Sequence, residues 1–334
     1  MEAARKSPPG RYKHTMSAPR VFVGRALPGE ALPRLADVAE IDIWPERLPP
    51  TPEALRGRVA SCDGLIALLT DRVDADLLDA APALRVVANV AVGYDNIDVP
   101  ACTARGIPVG NTPGVLTEST ADLAFALILA AARRVVEAAE AVKAGAWVTW
   151  EPEFMAGVDV HGATLGIVGM GAIGSAVAAR AAGFQMRVLH TSRSGGVPLP
   201  ELLAEADFVS VHCPLNDDTR GLIGEPELRL MKRTAILVNS ARGPIVDQEA
   251  LTRALREGWI AAAGLDVTAV EPIPIDDPLL ALPNCVVLPH IGSATIATRS
   301  RMASMAVDNV LAAFAGDRLP TCVNPDVYSG RASA

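Results

Sequence analysis

Residues 166–178, GIVGMGAIGSAVA, read as the end of a buried strand, a tight glycine turn and the opening of a helix. Gly169, Gly171 and Gly174 take the three positions of G-x-G-x-x-G. In such a loop the first glycine permits the turn, the second lets the backbone approach a dinucleotide pyrophosphate, and the third lets helix pack on strand. The helix start adds free N–H groups and a partial positive charge facing the anion. The setting supports the motif, because the apolar run 164–168 precedes it and the alanine-rich stretch 175–182 follows. Dinucleotide binding is the first functional expectation.

Toward the C-terminus, short apolar runs recur as MRVLH (186–190), DFVSVHC (207–213), AILVNS (235–240), AAGLDV (262–267) and CVVLPH (285–290). Helical segments around 202–206 and 249–257 fall between them. With ATLGIVG these runs predict a six-stranded Rossmann sheet. Toward the N-terminus, VFVG (21–24), GLIALL (64–69) and LRVVANV (84–90) form a second series. Apolar strands alternating with helices predict mostly parallel sheets covered on both faces. A long helix is expected over 117–144, opened by the capping-type sequence TESTAD. Another, over 295–314, returns past the second domain. The expected fold class is therefore α/β, with two Rossmann-like doubly wound domains. A dinucleotide-binding domain (116–295) is inserted into a flavodoxin-like substrate domain made of 17–115 and 296–330. Residues 1–16 are polar, basic and proline-bearing, lack the apolar core of a secretory signal, and predict a disordered extension.

Composition narrows the function classes. A chain of 334 residues exceeds one ordinary core, so two domains are the natural expectation. Aromatics at 4% and a net charge of -8 argue against a base-stacking surface or bulk polyanion binding, so no nucleic-acid partner is expected. The longest uncharged apolar run, 123–132, stops at Arg133-Arg134, short of a membrane span, and no membrane partner is expected. Cys62, Cys102, Cys213, Cys285 and Cys322 are odd in number and scattered, which predicts free thiols in a reducing, cytoplasmic setting. No cluster has zinc spacing, and no metal is expected.

Three charged residues fall at the C-terminal ends of successive expected strands. Arg242 follows ILVNSA, Glu271 follows GLDVTAV, and His290 ends VVLP. In a doubly wound sheet those ends face the ligand crevice. A turn arginine is usually solvated and one histidine is usually structural. Placed together beside a cofactor loop, the three predict catalysis.

The chain resembles the D-isomer-specific 2-hydroxyacid dehydrogenases, and within them the glyoxylate/hydroxypyruvate reductases. The resemblance rests on VGYDNID (92–98), NTPGVLTESTADLAFALIL (111–129), GIVGMGAIG (166–174), HCPL (212–215), LVNSARGPIVD (237–247), AAGLDVTAVEP (262–272) and LPHIGSAT (288–295). It implies reduction of short 2-keto acids by a nicotinamide cofactor, glyoxylate to glycolate and hydroxypyruvate to D-glycerate. D-3-phosphoglycerate dehydrogenase, D-lactate dehydrogenase and a dinucleotide-sensing corepressor are the alternatives. The family's triad falls on Arg242, Glu271 and His290. His290 would donate a proton to the carbonyl oxygen. Glu271 would fix the ring's tautomer and favour its charged form. Arg242 would hold the substrate carboxylate with its planar fork. Formate dehydrogenases of the same superfamily carry Gln where this chain has Glu271, which disfavours that activity.

The same resemblance implies that backbone amides at Val92 and Gly93 bind the carboxylate, that Leu69 closes one side of the pocket, and that Ser293 adds a polar contact. It also implies a homodimer formed through the cofactor domains, in which Trp150 reaches the partner's substrate site. Cofactor contacts are implied at Thr120, Met170, Ala172 and Ile173 beside the three glycines. Further contacts are implied at Cys213, Pro214, Thr219, Ser240 and Ala241, and Asp266 and Gly292 would join Arg242 and His290 near the nicotinamide. Cofactor choice is read from the residues themselves. An acidic side chain about 20 residues past the first glycine normally binds the ribose 2′-OH of NAD. Here the stretch is His190-Thr191-Ser192-Arg193-Ser194, with no carboxylate. Ser192, Arg193 and Ser194 suit a 2′-phosphate, so NADP(H) is preferred over NAD(H).

Overall fold

The computed structural model describes residues 18–329, so the extension expected over 1–16 lies outside the described residues. Five parallel strands make the first sheet: β1 (Arg20–Val23), β2 (Glu40–Ile43), β3 (Gly64–Ala67), β4 (Val86–Asn89) and β5 (Val109–Gly110). Their order, β2-β1-β3-β4-β5, is flavodoxin-like. Every residue of β3 and β4 is buried, as strands covered on both faces must be. Helices α2 (Pro52–Val59), α3 (Ala75–Ala80) and α4 (Val99–Ala104) cover one face, and α1 (Ala31–Ala36) lies on the other. Two of the five strands are absent from the sequence reading. β2 is an edge strand with no buried residue, so EIDI carries no apolar run, and β5 has only two residues.

The second sheet contains β6 (Thr164–Val168), β7 (Arg187–Ser192), β8 (Gly195–Gly196), β9 (Phe208–Val211), β10 (Ile236–Asn239), β11 (Ala262–Leu265) and β12 (Cys285–Val287). Its order is β12-β11-β10-β9-β6-β7-β8. Six strands are parallel, as expected. The seventh, β8, pairs antiparallel with β7 through Thr191–Gly196 and Ser192–Gly195, leaving Arg193 and Ser194 as the hairpin turn. The chain leaves β6 for β7 on one side and then for β9 on the other. That reversal opens a crevice at the carboxyl end of β6, where the glycine loop lies.

The helix expected over 117–144 is two helices, α5 (Thr117–Ala132) and α6 (Val135–Lys143). The break is at Arg134, which takes a left-handed φ of 52° and clamps Glu137 with Nη2–Oε1 at 2.6 Å. TESTAD does not cap through a side chain. The N-cap is Leu116, and Ser119 Oγ donates back to its carbonyl at 3.1 Å. Eight residues of α5 are buried, against none of α6. α5 and α7 (Ala172–Gly183) cover one face of the second sheet, and α8 (Leu199–Glu205), α9 (Glu225–Leu230) and α10 (Gln248–Glu257) cover the other. The last helix, α11 (Ile296–Ala315), is capped by Thr295 Oγ1, which accepts from the Thr298 amide at 3.0 Å. It packs on α1, β3 and β4, so the chain crosses back to the first sheet.

Candidate active site

The three glycines of the β6–α7 turn sit in three different surroundings. Gly169 has φ of 102°, and a Cβ there would run into the backbone of Cys213. A Cβ on Gly174 would strike the Gly169 carbonyl, so this residue sets how closely α7 approaches β6. Gly171 is the N-cap of α7 and faces open space, with nothing within 4 Å of its Cβ position. No side chain caps the helix, so the amides of its first turn, beside Met170, Ala172 and Ile173, remain free for a ligand.

The other expected cofactor residues take defined places. Ser240 Oγ is buried with no hydrogen-bond partner among the described residues. Thr219 Oγ1 donates to the Pro214 carbonyl at 2.6 Å and ties that turn closed. A Cβ on Gly292 would lie 3.2 Å from Asp266 Oδ2 and 3.3 Å from Thr120 Cγ2, so these three residues form one close-packed wall. Ser192 Oγ lies 3.0 Å from Ser194 Oγ, and Arg193 stands exposed on the turn between them. An open glycine cradle, an uncapped helix start and an orphaned hydroxyl fit a dinucleotide's phosphates and hydroxyls. Among the described residues, no group of three or more His, Cys, Asp or Glu is placed to hold a metal ion.

His290 and Glu271 meet at the carboxyl ends of β12 and β11, with Nδ1 2.7 Å from Oε2. Glu271 Oε1 also accepts from the Thr268 amide at 3.2 Å. Burial works against ionisation of Glu271. The His290 hydrogen bond and charge, the Thr268 amide and the Arg242 charge outweigh it and hold the carboxyl below its usual value. With Nδ1 committed to Glu271, Nε2 is the ring nitrogen left to a ligand. His290 itself has a left-handed φ of 54°, a conformation that costs a non-glycine residue about 1–3 kcal/mol.

Asp266 supplies the restraint. Its two carboxylate oxygens accept the amides of Ile291 and Gly292, each at 2.7 Å, and its carbonyl accepts the His290 amide at 2.9 Å. Its side chain is thus spent on shaping the His290 loop, a part that the expected nicotinamide contact did not include. Ser293 follows in the same loop, where its carbonyl accepts the Thr295 amide at 2.8 Å.

Arg242 and Gly93 come from different sheets and touch. A Cβ on Gly93 would overlap Arg242 Nη2 and lie 2.9 Å from Cζ. Arg242 Nε donates to Asp95 Oδ1 at 3.0 Å, and Nη1 donates to the Ala241 carbonyl at 2.9 Å. The 92–98 segment, which follows the carboxyl end of β4, thus faces the loop at the carboxyl end of β10.

Two residues that sequence reasoning passed over hold these loops. Asn89, fully buried at the end of β4, donates to the Gly93 carbonyl at 2.9 Å and to Asn96 Oδ1 at 3.1 Å. Asn239, 1% exposed at the end of β10, donates to the Arg242 carbonyl at 2.9 Å and accepts the Ala241 amide at 3.0 Å. The available signal was an asparagine closing an apolar run, VVAN and ILVN. Asn111 Nδ2 adds a bond to the Val92 carbonyl at 2.8 Å. Asn96 Nδ2 bonds the carbonyls of Leu68 and Asp71 at 3.0 and 2.9 Å, which fixes the loop carrying the partly exposed Leu69. Trp150 is 78% exposed in the single chain.

The family model described as "D-isomer specific 2-hydroxyacid dehydrogenase, NAD binding domain" matches residues 125–292. A glyoxylate reductase of Korarchaeum cryptofilum is 55% identical over 325 residues, which cover 94% of this chain and 98% of that one. The chain belongs to the D-isomer-specific 2-hydroxyacid dehydrogenase family. As a member it is an NAD(P)-dependent oxidoreductase that uses a nicotinamide dinucleotide. A crystal structure from Thermus thermophilus has 50% identity and a TM-score of 0.87, covering 91% of this dehydrogenase and 99% of that chain. An NADPH-dependent glyoxylate/hydroxypyruvate reductase from Sinorhizobium meliloti, solved with NADP and malonate, has 33% identity and a TM-score of 0.81. That alignment covers 92% of this chain and 97% of the neighbour.

Proposed function

We propose that this dehydrogenase reduces glyoxylate to glycolate and hydroxypyruvate to D-glycerate, and that it prefers NADPH. The observation that carries the reading is the meeting of Arg242 with Gly93 across the cleft, beside a His290 braced by Glu271. The substrate names come from the relatives, glyoxylate from one and both acids from another. The cofactor lobe is taken as 116–295 and the substrate lobe as 17–115 with 296–330.

Reduced nicotinamide, when bound, supplies the hydride to the carbonyl carbon. The chain's own side chains do the rest. Arg242 binds the substrate carboxylate and polarises the keto oxygen, and the amides of Val92 and Gly93 receive the carboxylate from the other wall. His290, held at Nδ1 by Glu271, gives the proton on Nε2 to the oxygen as it becomes a hydroxyl. One hydride and one proton enter for each 2-hydroxy acid formed. Leu69 and its loop close the pocket to a short chain, and Ser293 adds a polar contact.

The 2′-phosphate is assigned to Ser192, Arg193 and Ser194 on the β7–β8 turn. Their support is an exposed guanidinium and two hydroxyls, with no acid between 190 and 196. Replacing Arg193 by alanine should raise KM for NADPH about tenfold and leave KM for NADH within about twofold, since one charged hydrogen-bonding partner of the phosphate is lost. Equal loss with both cofactors would remove the assignment. Gly171→Ala should leave the melting temperature of the apo protein unchanged, because its Cβ position is open. It should weaken dinucleotide binding about tenfold by filling the approach to the pyrophosphate. Titration by nucleotide fluorescence reads the second effect, and unchanged affinity would displace the pyrophosphate from this turn.

A homodimer is proposed through α6 and the segment after it. Val135, Val136 and Val142 are about half exposed, and Trp147, Val148 and Trp150 are 60%, 87% and 78% exposed, an apolar face that a second copy would cover. All five cysteines are free thiols, which suits the cytoplasm. The test of the substrate reading is a steady-state panel of glyoxylate, hydroxypyruvate, pyruvate and phosphohydroxypyruvate, run with NADPH and with NADH. The first two acids should give the highest kcat/KM. A clear preference for either of the others would replace it.

A further inference from the structure

We propose that Asp95 is a positioning residue for substrate binding, a carboxylate on the substrate-lobe wall that fixes the Arg242 guanidinium before the 2-keto acid arrives. The inference rests on the reading above that Arg242 holds the substrate carboxylate. Its own observation is separate: an acid and an arginine 147 positions apart pair at 3.0 Å across the cleft, Oδ1 to Nε.

A carboxylate beside the binding site of an anionic substrate needs a physical reason, since like charge opposes binding. The reason lies in how the arginine's donors are divided. A guanidinium has five N–H donors in a fixed fork. Asp95 takes Nε, the Ala241 carbonyl takes Nη1, and Nη2 lies against the Gly93 backbone where no side chain intrudes. Two anchors on different nitrogens define the plane and rotation of the group. Nη2 is the nitrogen left beside the amides expected to receive the carboxylate.

An untethered arginine would give up rotamer freedom on engaging substrate. A tethered one has lost it already, and pre-organisation of this kind strengthens binding by reducing the ordering that binding requires. Asp95 is itself held in place, because Asn89 bonds the Gly93 carbonyl on one side of it and Asn96 bonds the Leu68 and Asp71 carbonyls on the other. The anchor is therefore part of a fixed loop. Since the pair joins the two walls, it also sets their spacing at the point where substrate enters.

The test is a double-mutant cycle read as kcat/KM for glyoxylate with NADPH, using the full chain. Asp95→Ala should lower kcat/KM on the order of ten- to a hundredfold, mostly through KM for glyoxylate, while KM for NADPH moves less than about twofold. Asp95→Asn keeps an oxygen acceptor for Nε and should recover most of the loss. Adding Asp95→Ala to Arg242→Ala should cost nothing further, because the acid acts only through the arginine. Unchanged or improved kcat/KM in Asp95→Ala, or independent losses in the double variant, would overturn the proposal. Wild-type KM in Arg242→Ala would instead remove the reading of Arg242 on which it rests. Should Asp95→Ala fail to fold, Asp95→Glu keeps the charge at a partly exposed position while pushing the guanidinium aside. Wild-type kcat/KM in that variant would also overturn the proposal.

Discussion

Replacing His290 by glutamine is expected to lower kcat for glyoxylate on the order of 100- to 10,000-fold, the usual range for removing a general acid. KM for NADPH should hold within about twofold, because the glycine turn and the Arg193 hairpin lie on other strands of the sheet. The loop should survive the change, since Asp266 grips it through three backbone amides that the side chain does not touch. Glu271→Gln should show a smaller loss with a different pH dependence. In the wild type the Glu271 carboxyl titrates below its ordinary 4.5, so it stays ionised as pH falls past that value, and the clamp on Nδ1 opens only beneath it. The acid-side loss of activity traceable to Glu271 should therefore begin below the normal glutamate range. In Glu271→Gln that step should be absent. A His290→Gln enzyme with near-normal kcat would mean that water or another group delivers the proton.

What the sequence revealed and what it concealed divide along physical lines. The six parallel strands around the glycine loop were legible because most are rich in apolar residues, and β9, β10 and β11 are wholly buried. β2 was not, because an edge strand with half-exposed EIDI has no such signature. The division of 117–144 into two helices turns on one left-handed arginine, paired with Glu137, which no periodicity announces. The β7–β8 hairpin was hidden for the opposite reason, since two glycines carry no side-chain pattern. At the site, Arg242, Glu271 and His290 could be named from their strand-end positions. Their supports could not. Asn89, Asn239, Asn96 and Asp95 act through bonds to backbone or across the cleft, and such contacts depend on loops brought together only by the fold. Gly93 was expected as a carboxylate-binding amide, but the arginine from the other sheet that fills the space beside it could not be read from the sequence.

That last contact yields the second large effect. Gly93→Ala should reduce kcat/KM for glyoxylate about a hundredfold, because a misplacement near 1 Å of a group that positions substrate can cost that much. The added Cβ would overlap Arg242 Nη2, and the atom in its way is the tip of a flexible side chain. The guanidinium is thus displaced at the expense of its Asp95 and Ala241 hydrogen bonds rather than of core packing. The melting temperature should stay within about 2 °C of wild type, since no core atom moves and surface-type changes rarely exceed about 0.5 kcal/mol. Loss of activity together with loss of fold would indicate a backbone role for Gly93. Full activity would mean that Arg242 engages substrate from another position.

The decisive experiment is a crystal structure of the full chain with NADP and oxamate, an unreactive analogue of a short 2-keto acid. Arg242 and the amides of Val92 and Gly93 should lie within about 3 Å of the oxamate carboxylate, and His290 Nε2 within about 3 Å of its amide-carbonyl oxygen, while Glu271 stays on Nδ1. An oxamate carboxylate bound away from Arg242, or a His290 ring turned out of the cleft, would contradict a reaction centre assembled from both lobes.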